Sequence, residues 1–124
     1  MRARWVLTLL AAPVAAVGLA QENAPVSGKW NLHLSIAGYE SDLACTFTQT
    51  GGDVTGECKG EQGSVSITGK VDNKDVTMQH KSEYNGDELT LIYKGKLESS
   101  SKIVGAVTVQ PMGVDGEFTA TQSK

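Results

Sequence analysis

The sequence is poor in the residues and motifs that usually reveal a chemical activity. Its 124 residues include only two cysteines, two histidines and two tryptophans, and aromatic residues make up 6% of the chain. Gly-x-Ser-x-Gly, His-Glu-x-x-His and Cys-x-x-Cys are all absent, and these motifs mark serine hydrolases, zinc proteases and dithiol redox proteins. We therefore expect a protein that is not an enzyme, with no metal and no cofactor.

Positive charge is also scarce. The chain has 11 Lys and Arg residues against 14 Asp and Glu residues, a formal net charge of −3. Without Arg2 and Arg4, which lie in the leader described next, 9 basic residues remain against 14 acidic ones, a net charge of −5. A surface of this sign repels polyanions. We therefore expect no nucleic-acid partner and no binding to anionic membranes.

The N-terminus has the composition of a secretory signal peptide. Arg2 and Arg4 give it a basic start, an apolar run follows, and the stretch GLA that ends at Ala20 is a small-x-small cleavage site,. We predict a signal peptide at 1–20 and cleavage after Ala20, in a secreted or periplasmic protein with no stable membrane anchor afterwards. An uncleaved membrane anchor is the alternative, but the apolar run is short for a membrane span.

From Gly28 onward, apolar and polar residues alternate and no stretch has a convincing helical period,. Turn residues interrupt the alternation often enough for eight short strands. The apolar face of the first strand consists of Trp30, Leu32, Leu34 and Ile36. A sheet with one apolar face removes its open edges by closing on itself. We predict an all-β, eight-stranded antiparallel up-and-down barrel as a single domain over 28–122, preceded by a flexible segment at 21–27.

The two cysteines frame one predicted hairpin, CTFTQTGGDVTGEC. If Gly51 and Gly52 are its two turn residues, both with positive φ, Cys45 falls directly opposite Cys58 at a non-hydrogen-bonded position. Cα atoms at such a position are about 4.5 Å apart, a spacing that a disulfide accepts. Export to an oxidising compartment favours this bond, and two buried free thiols are the alternative.

The same counting predicts the register of three more hairpins, with turns at 37–38, 73–74 and 85–86. In each hairpin, inward-facing residues meet inward-facing residues, whereas a slip of one residue would cross the two faces. The predicted inward pairs include Leu32 with Leu43, Gly69 with Met78, Met78 with Tyr93, and His80 with Leu91.

The start of the first strand, Gly28-x-Trp30, resembles the Gly-x-Trp start of the lipocalin and avidin (calycin) barrels. The stretches VTGEC, ITGKV, YKGKL and IVGAV resemble the apolar-x-Gly-x pattern of small secreted bacterial lipocalin-like barrels. The resemblance implies that Trp30 closes the end of the barrel where the first strand begins. Biotin binding is not implied, because Trp30 is the only tryptophan after residue 20. The short AGY connection also departs from the long lid loop of lipocalins.

The barrel interior is the concave region where a ligand could bind. Four inward glycines either leave space there or permit strands to bend, namely Gly56, Gly69, Gly95 and Gly105. We predict a site for a small, largely apolar molecule in the mouth opposite Trp30. Its predicted walls are Leu34, Ile36, Val65, Leu89 and Leu91. Its predicted polar contacts are Tyr39, Ser41, His80, Ser82 and Tyr93.

Each polar residue of this site also has a structural interpretation. The serines could be merely hydrated, the tyrosines could be packing groups, and His80 could be a core histidine bonded to water or to a tyrosine. His33 should face outward and His80 inward, so they cannot share a metal. The alternative function is a structural or interaction module with a fully packed interior, which acts through its outer face or its loops and foremost through the loop QPMGVDG, with no protein partner identified. A cavity of about 300 Å³ or more would favour ligand binding.

Overall fold

The computed structural model describes residues 23–61 and 63–123. The predicted signal peptide at 1–20 lies outside these residues. In the part of the chain that is described, no helix is long and apolar enough to cross a membrane. The chain forms eight strands: β1 Gly28–Ile36, β2 Tyr39–Thr50, β3 Asp53–Gly60, β4 Gly63–Asp72, β5 Asp75–Tyr84, β6 Asp87–Ser99, β7 Lys102–Gln110 and β8 Val114–Gln122.

The strands form a closed barrel in the order of the sequence, and each neighbouring pair is antiparallel. β1 also pairs with β8, where Leu32 lies opposite Ala120, so the sheet has no free outer strand. The predicted all-β, eight-stranded meander barrel is therefore confirmed. The predicted registers are confirmed as well, including His80 opposite Leu91 and Gly69 opposite Met78.

The two-residue turns follow the predicted positions, but those at 51–52 and 73–74 have positive φ only at the first residue. Asn85 and Gly86 both have positive φ, at 53° and 85°, as the commonest hairpin turn requires. In the Gly51-Gly52 turn only Gly51 lies in the left-handed region, at a φ of 63°. The expectation that both glycines need positive φ was therefore wrong. A turn with positive φ at its first central residue alone also joins two strands through two residues, so the register is unaffected.

Cys45 and Cys58 form the predicted disulfide. They lie opposite each other on β2 and β3 with their Cα atoms 4.0 Å apart, and both are buried in the core. The sulfur atoms point inward because position 45 has the same parity along β2 as the buried Phe47. A bond that closes a loop of this size stabilises a fold by about 3 kcal/mol in the loop-entropy description.

The described part of the segment at 21–27 is packed, which corrects the prediction that this segment is flexible. Val26 is only 1% exposed, and its backbone N–H donates to Gln49 Oε1 over 2.6 Å. The indole N–H of Trp30 donates to the carbonyl of Val26 over 2.9 Å. A buried indole N–H needs an acceptor, and residues 23–27 bring one across the barrel end. Trp30 therefore lies where the resemblance places it, with Val26 beneath it.

The inward glycines mark close approaches between strands and leave no empty space. A Cβ atom at Gly56 would meet the carbonyl oxygen of Thr46, and one at Gly69 would meet that of Thr77. At Gly105 the obstructing group is the carbonyl of Lys94. Glycine permits such contacts because it has no side chain. Neither predicted interpretation, empty space or strand bending, names what is observed at these glycines, which is the close approach of neighbouring strands.

Removing the disulfide should weaken the fold without abolishing it. We expect reduction of the wild-type protein, or the double substitution Cys45→Ala/Cys58→Ala, to lower the free energy of unfolding by about 3 kcal/mol. Urea unfolding followed by Trp30 fluorescence measures this change. The double variant is its own control, since reductant should not alter its unfolding. A wild-type midpoint that is identical with and without reductant would contradict the prediction.

Candidate functional site at the open end of the barrel

The two ends of the barrel are built differently. The closed end contains the turns at 51–52, 73–74 and 100–101, and the segment 23–27 packs there through the hydrogen bond from Ala24 N–H to the Asn73 carbonyl. The open end contains the turns at 37–38, 85–86 and 111–113, and the connection from β3 to β4. Apolar side chains near this end, such as Ile36 and Val65, are only partly buried.

An aromatic layer crosses the interior between the two ends. Tyr93 on β6 is fully buried, and its ring centroid lies 5.4 Å from that of His80 on β5. On its other side, Phe118 on β8 meets Tyr93 edge to face at 5.1 Å. Side chains from three strands thus touch within one cross-section of the barrel. This layer forms the floor of the open end, above Trp30 and Phe47.

The hydrogen bonds of His80 determine its tautomer. Its Nδ1 lies 3.0 Å from the carbonyl oxygen of Lys81, and its Nε2 lies 2.7 Å from the hydroxyl of Tyr93. A carbonyl can only accept, so Nδ1 carries the hydrogen, and in the neutral ring Nε2 accepts from Tyr93. His80 is therefore a core histidine paired with a tyrosine, as one of the two sequence interpretations has it.

Burial keeps both members of this pair neutral. It lowers the pKa of His80, an effect that the hydrogen bond to the Lys81 carbonyl partly opposes. Burial also raises the pKa of Tyr93 above its ordinary value of 10.0. Desolvation penalises the charged form of each group, the imidazolium in one case and the phenolate in the other. At neutral pH the pair therefore places hydrogen-bonding groups and no charge in the interior.

The barrel wall is split between β4 and β5 near the open end. Pairing of these strands runs from Asp72 opposite Asp75 to Ile67 opposite His80, and stops there. Residues 63–66 continue to pair with β3, and residues 81–84 continue to pair with β6. We call this gap the β4–β5 notch. The ring of His80 bonds to the Lys81 carbonyl at the first position beyond the last pair, so it satisfies a group that the neighbouring strand leaves open.

A depression of about 790 Å³ lies at the β4–β5 notch. Two inward-parity side chains, Val65 and Ser82, face each other across the notch and are partly exposed. The depression is lined by Val65, Lys81, Ser82, Glu83, Asn85, Gly86 and Glu88. Leu89 and Leu91 lie on β6 behind it and are buried, and so is Leu34 on β1. The predicted walls thus lie around the open end, with Val65 as the one that the depression exposes.

The structure places only some of the predicted polar contacts together. Ser82 lines the depression, while His80 and Tyr93 are not among its lining residues and bond to each other. Tyr39 is 75% exposed and Ser41 is exposed as well, and neither lines the depression with Ser82. Pairing between β2 and β3 begins only at Ala44, so residues 39–43 have no pairing partner on β3.

A second polar cluster, formed by His33, Glu40 and Asp42, lies on the outer wall of the barrel. The residue alternation predicts only that His33 faces outward. Its Nε2 lies 2.7 Å from Glu40 Oε1, and its Nδ1 lies 2.8 Å from Asp42 Oδ1. Hydrogen bonds to Asp42 and then to Glu40 raise the pKa of His33. The predicted hairpin register could have revealed this cluster, since it sets His33 directly opposite Asp42. The described residues contain no group of three His, Cys, Asp or Glu side chains arranged to hold a metal.

Comparison with known proteins supports the barrel fold but identifies neither a family nor a function. No family model matches the sequence, and no curated protein matches it. A redesigned β-barrel, b11L5F_LGL, is similar with a TM-score of 0.61 and 15% identity, over 79% of this chain and 91% of that one. The structure of EF1p2_mFAP2b bound to DFHBI is similar with a TM-score of 0.54 and 10% identity, over 78% of this chain and 93% of that one. At such identities the likeness is one of fold, and the lipocalin and avidin family stays a resemblance.

The neutral state of His80 should make stability depend on pH. Because folding lowers its pKa below the unfolded value of about 6.5, the unfolded chain binds the proton more tightly. Stability should fall as the pH drops below 6.5, by up to about 1.4 kcal/mol per pH unit. Urea unfolding between pH 7.5 and 5.5 in a His33→Gln background measures this loss. The matched variant that adds His80→Gln should lack it, and equal slopes in the two proteins would contradict the assignment.

His33 should behave in the opposite way. Two carboxylates accept from its ring, so its pKa should exceed 6.5 and any stabilisation should be present at low pH and lost as the pH rises through the raised pKa. Titration of the imidazole protons by NMR measures this value directly. Asp42→Asn should lower the pKa of His33, whereas Asp115→Asn on a different strand should leave it unchanged. An unchanged pKa in Asp42→Asn would show that the contact is not formed.

Proposed function

We propose that this barrel binds a small, largely apolar molecule reversibly at its open end, by a mechanism without a covalent step. The observation that carries the proposal is the depression of about 790 Å³ at the β4–β5 notch, with Val65 exposed in its lining. Small-molecule sites begin at about 300 Å³ and combine apolar walls with a few polar groups. The depression exceeds that volume, and its lining holds one apolar side chain, Val65, among polar ones.

Binding would take place above the aromatic layer and not in the depth of the barrel. The rings of His80, Tyr93 and Phe118 fill the barrel interior and none of them lines the depression, so the ligand would lie outside this layer. Removing apolar surface from water would contribute about 25 cal/mol per Å² buried against Val65 and its neighbours. This places the proposed site closer to the rim than the residue pattern alone suggests.

Polar recognition in this proposal comes from Ser82 and from the backbone of the β4–β5 notch. Residues 63–66 and 81–84 have no partner across the notch, so apart from the Lys81 carbonyl, which the His80 ring occupies, their N–H and C=O groups on that side can bond to a ligand,. His80 and Tyr93 would not act as anchors, because each already satisfies the other. A ligand with an apolar body and one amide, hydroxyl or carbonyl group would suit this lining.

Three further observations support the proposal: one concerns ligand binding, one the compartment, and one the absence of a catalytic step. EF1p2_mFAP2b, a barrel of similar fold, has a structure with DFHBI bound, so such a barrel can hold a ligand. The buried disulfide suits an oxidising compartment, in line with the predicted secretion,. His80 is neutral and pairs with a neutral tyrosine, which offers no charged acid or base to a substrate.

A neutral apolar dye, N-phenyl-1-naphthylamine, tests the proposal. We expect its fluorescence to report binding to the wild-type protein, and Val65→Trp to weaken that binding at least about tenfold, or about 1.4 kcal/mol, by filling the depression. Thr68→Trp, on the outer face of the same strand, is the matched control and should bind like the wild type. Thermal melting shows that both variants are folded.

Two outcomes would count against the proposal. The wild-type protein could fail to bind the dye, or both tryptophan variants could bind it equally well. Native mass spectrometry of protein from its own host adds an independent reading, since a mass excess that disappears on denaturation reveals a resident molecule.

A further inference from the structure

The open and closed halves of the barrel differ in charge. When each strand is divided at its midpoint, the open half of the described residues contains nine acidic and two basic side chains, and the closed half contains four acidic and six basic ones. The formal charges are therefore −7 and +2. The acidic residues nearest the open-end turns are Glu40, Glu61, Glu83, Asp87, Glu88 and Asp115. Such a separation creates a field that attracts cations to one end of the molecule.

Exposed apolar side chains concentrate at the same end. Among the described residues, the large apolar side chains that stand out in solvent are Tyr39 at 75%, Tyr84 at 54% and Met112 at 56% exposure. They lie at the tips of the β1–β2, β5–β6 and β7–β8 hairpins, all at the open end. The closed-end turns consist instead of Gly-Gly, Asn-Lys and Ser-Ser pairs. Single exposed apolar residues are ordinary, but all three of these lie at the same end of the barrel as the acidic side chains, which makes that end the candidate for an interaction site,.

The β5–β6 hairpin extends this surface away from the barrel. Beyond His80 it has left β4, and it pairs with β7 only from Thr90 onward. Its tip at 81–89 is therefore a two-stranded arm with Tyr84 beside the Asn85-Gly86 turn. The arm has three acidic side chains and one lysine. It presents an aromatic ring within a negative surface.

We propose that the open rim, defined by Tyr39, Tyr84 and Met112 and the acidic residues around them, docks a partner protein through a basic segment that also contains apolar side chains. Charge complementarity selects this occupant, because a negative rim attracts Lys and Arg and repels anionic lipid. Tyrosines at such a surface supply contact area at a small entropy cost. This interaction goes beyond the small-molecule binding proposed above.

Defined peptides serve as probes of this surface. We expect fluorescence anisotropy in about 20 mM salt to show binding of a labelled 12-residue peptide of alternating Lys and Leu. A Lys-Ser peptide should bind more weakly because it lacks apolar contacts, and a Glu-Leu peptide should not bind. Raising the salt to about 150 mM should weaken the Lys-Leu complex, because it screens the charges.

Matched substitutions at the two ends separate a specific surface from general attraction. Glu83→Gln/Asp87→Asn/Glu88→Gln should weaken Lys-Leu binding at least about tenfold, or about 1.4 kcal/mol. Asp72→Asn/Asp75→Asn/Glu98→Gln removes the same number of charges from the closed end and should change binding less than about twofold. Tyr39→Ser/Tyr84→Ser/Met112→Ser should weaken binding while preserving the net charge. Thermal melting shows which variants remain folded.

The proposal would be overturned by an equal effect of the two charge-removing variants, or by wild-type protein that does not bind the Lys-Leu peptide. Co-sedimentation with phosphatidylglycerol vesicles at the same salt would also overturn it, since the surface would then prefer a membrane. Dye binding at Val65 is measured separately, so the two proposals can fail independently.

Discussion

The pairing of β1 with β8 is the constraint on which the rest of this molecule depends. It runs from Trp30 opposite Gln122 to Ile36 opposite Gly116 and turns a meander of eight strands into a ring. A ring this small requires adjacent strands to approach closely at particular points. Glycine occupies such points, and at Gly116 a Cβ would meet the carbonyl of Ser35 across the closing seam. The repeated glycines are therefore part of the closure.

The narrow ring also determines how the interior is filled. Side chains from different strands can touch across it, as Tyr93 does with His80 and Phe118. A polar pair can be buried at this depth because each member satisfies the other and the Lys81 carbonyl satisfies the remaining imidazole N–H,. The interior is consequently closed by Trp30 at one end and by the aromatic layer below the other. What remains accessible to a ligand lies at the rim, where β4 and β5 part.

Alternation and turn chemistry were sufficient to predict the barrel, its registers and the disulfide. These features depend on residue parity and on counting outward from a turn, both of which are local. Tyr39 and Ser41 have the inward parity, yet they are exposed because pairing with β3 begins only at Ala44. The point at which one strand extends beyond its neighbour depends on how the strands are staggered in the closed barrel. The inward or outward parity of a residue does not reveal this stagger. The packing of Val26 under Trp30 is likewise a contact made only once the barrel exists.

The described chain begins and finishes at the same end of the barrel. Ala24 bonds to Asn73 at the closed end, and the backbone N–H of Ser123 donates to the Lys29 carbonyl there over 2.7 Å. Anything joined directly at Asn23 or Ser123, the first and last described residues, whether an affinity tag, a fused protein or a solid support, would thus attach on the side opposite the mouth. Molecules immobilised in this way would all point their open rims outward, as a uniformly oriented layer facing the solution.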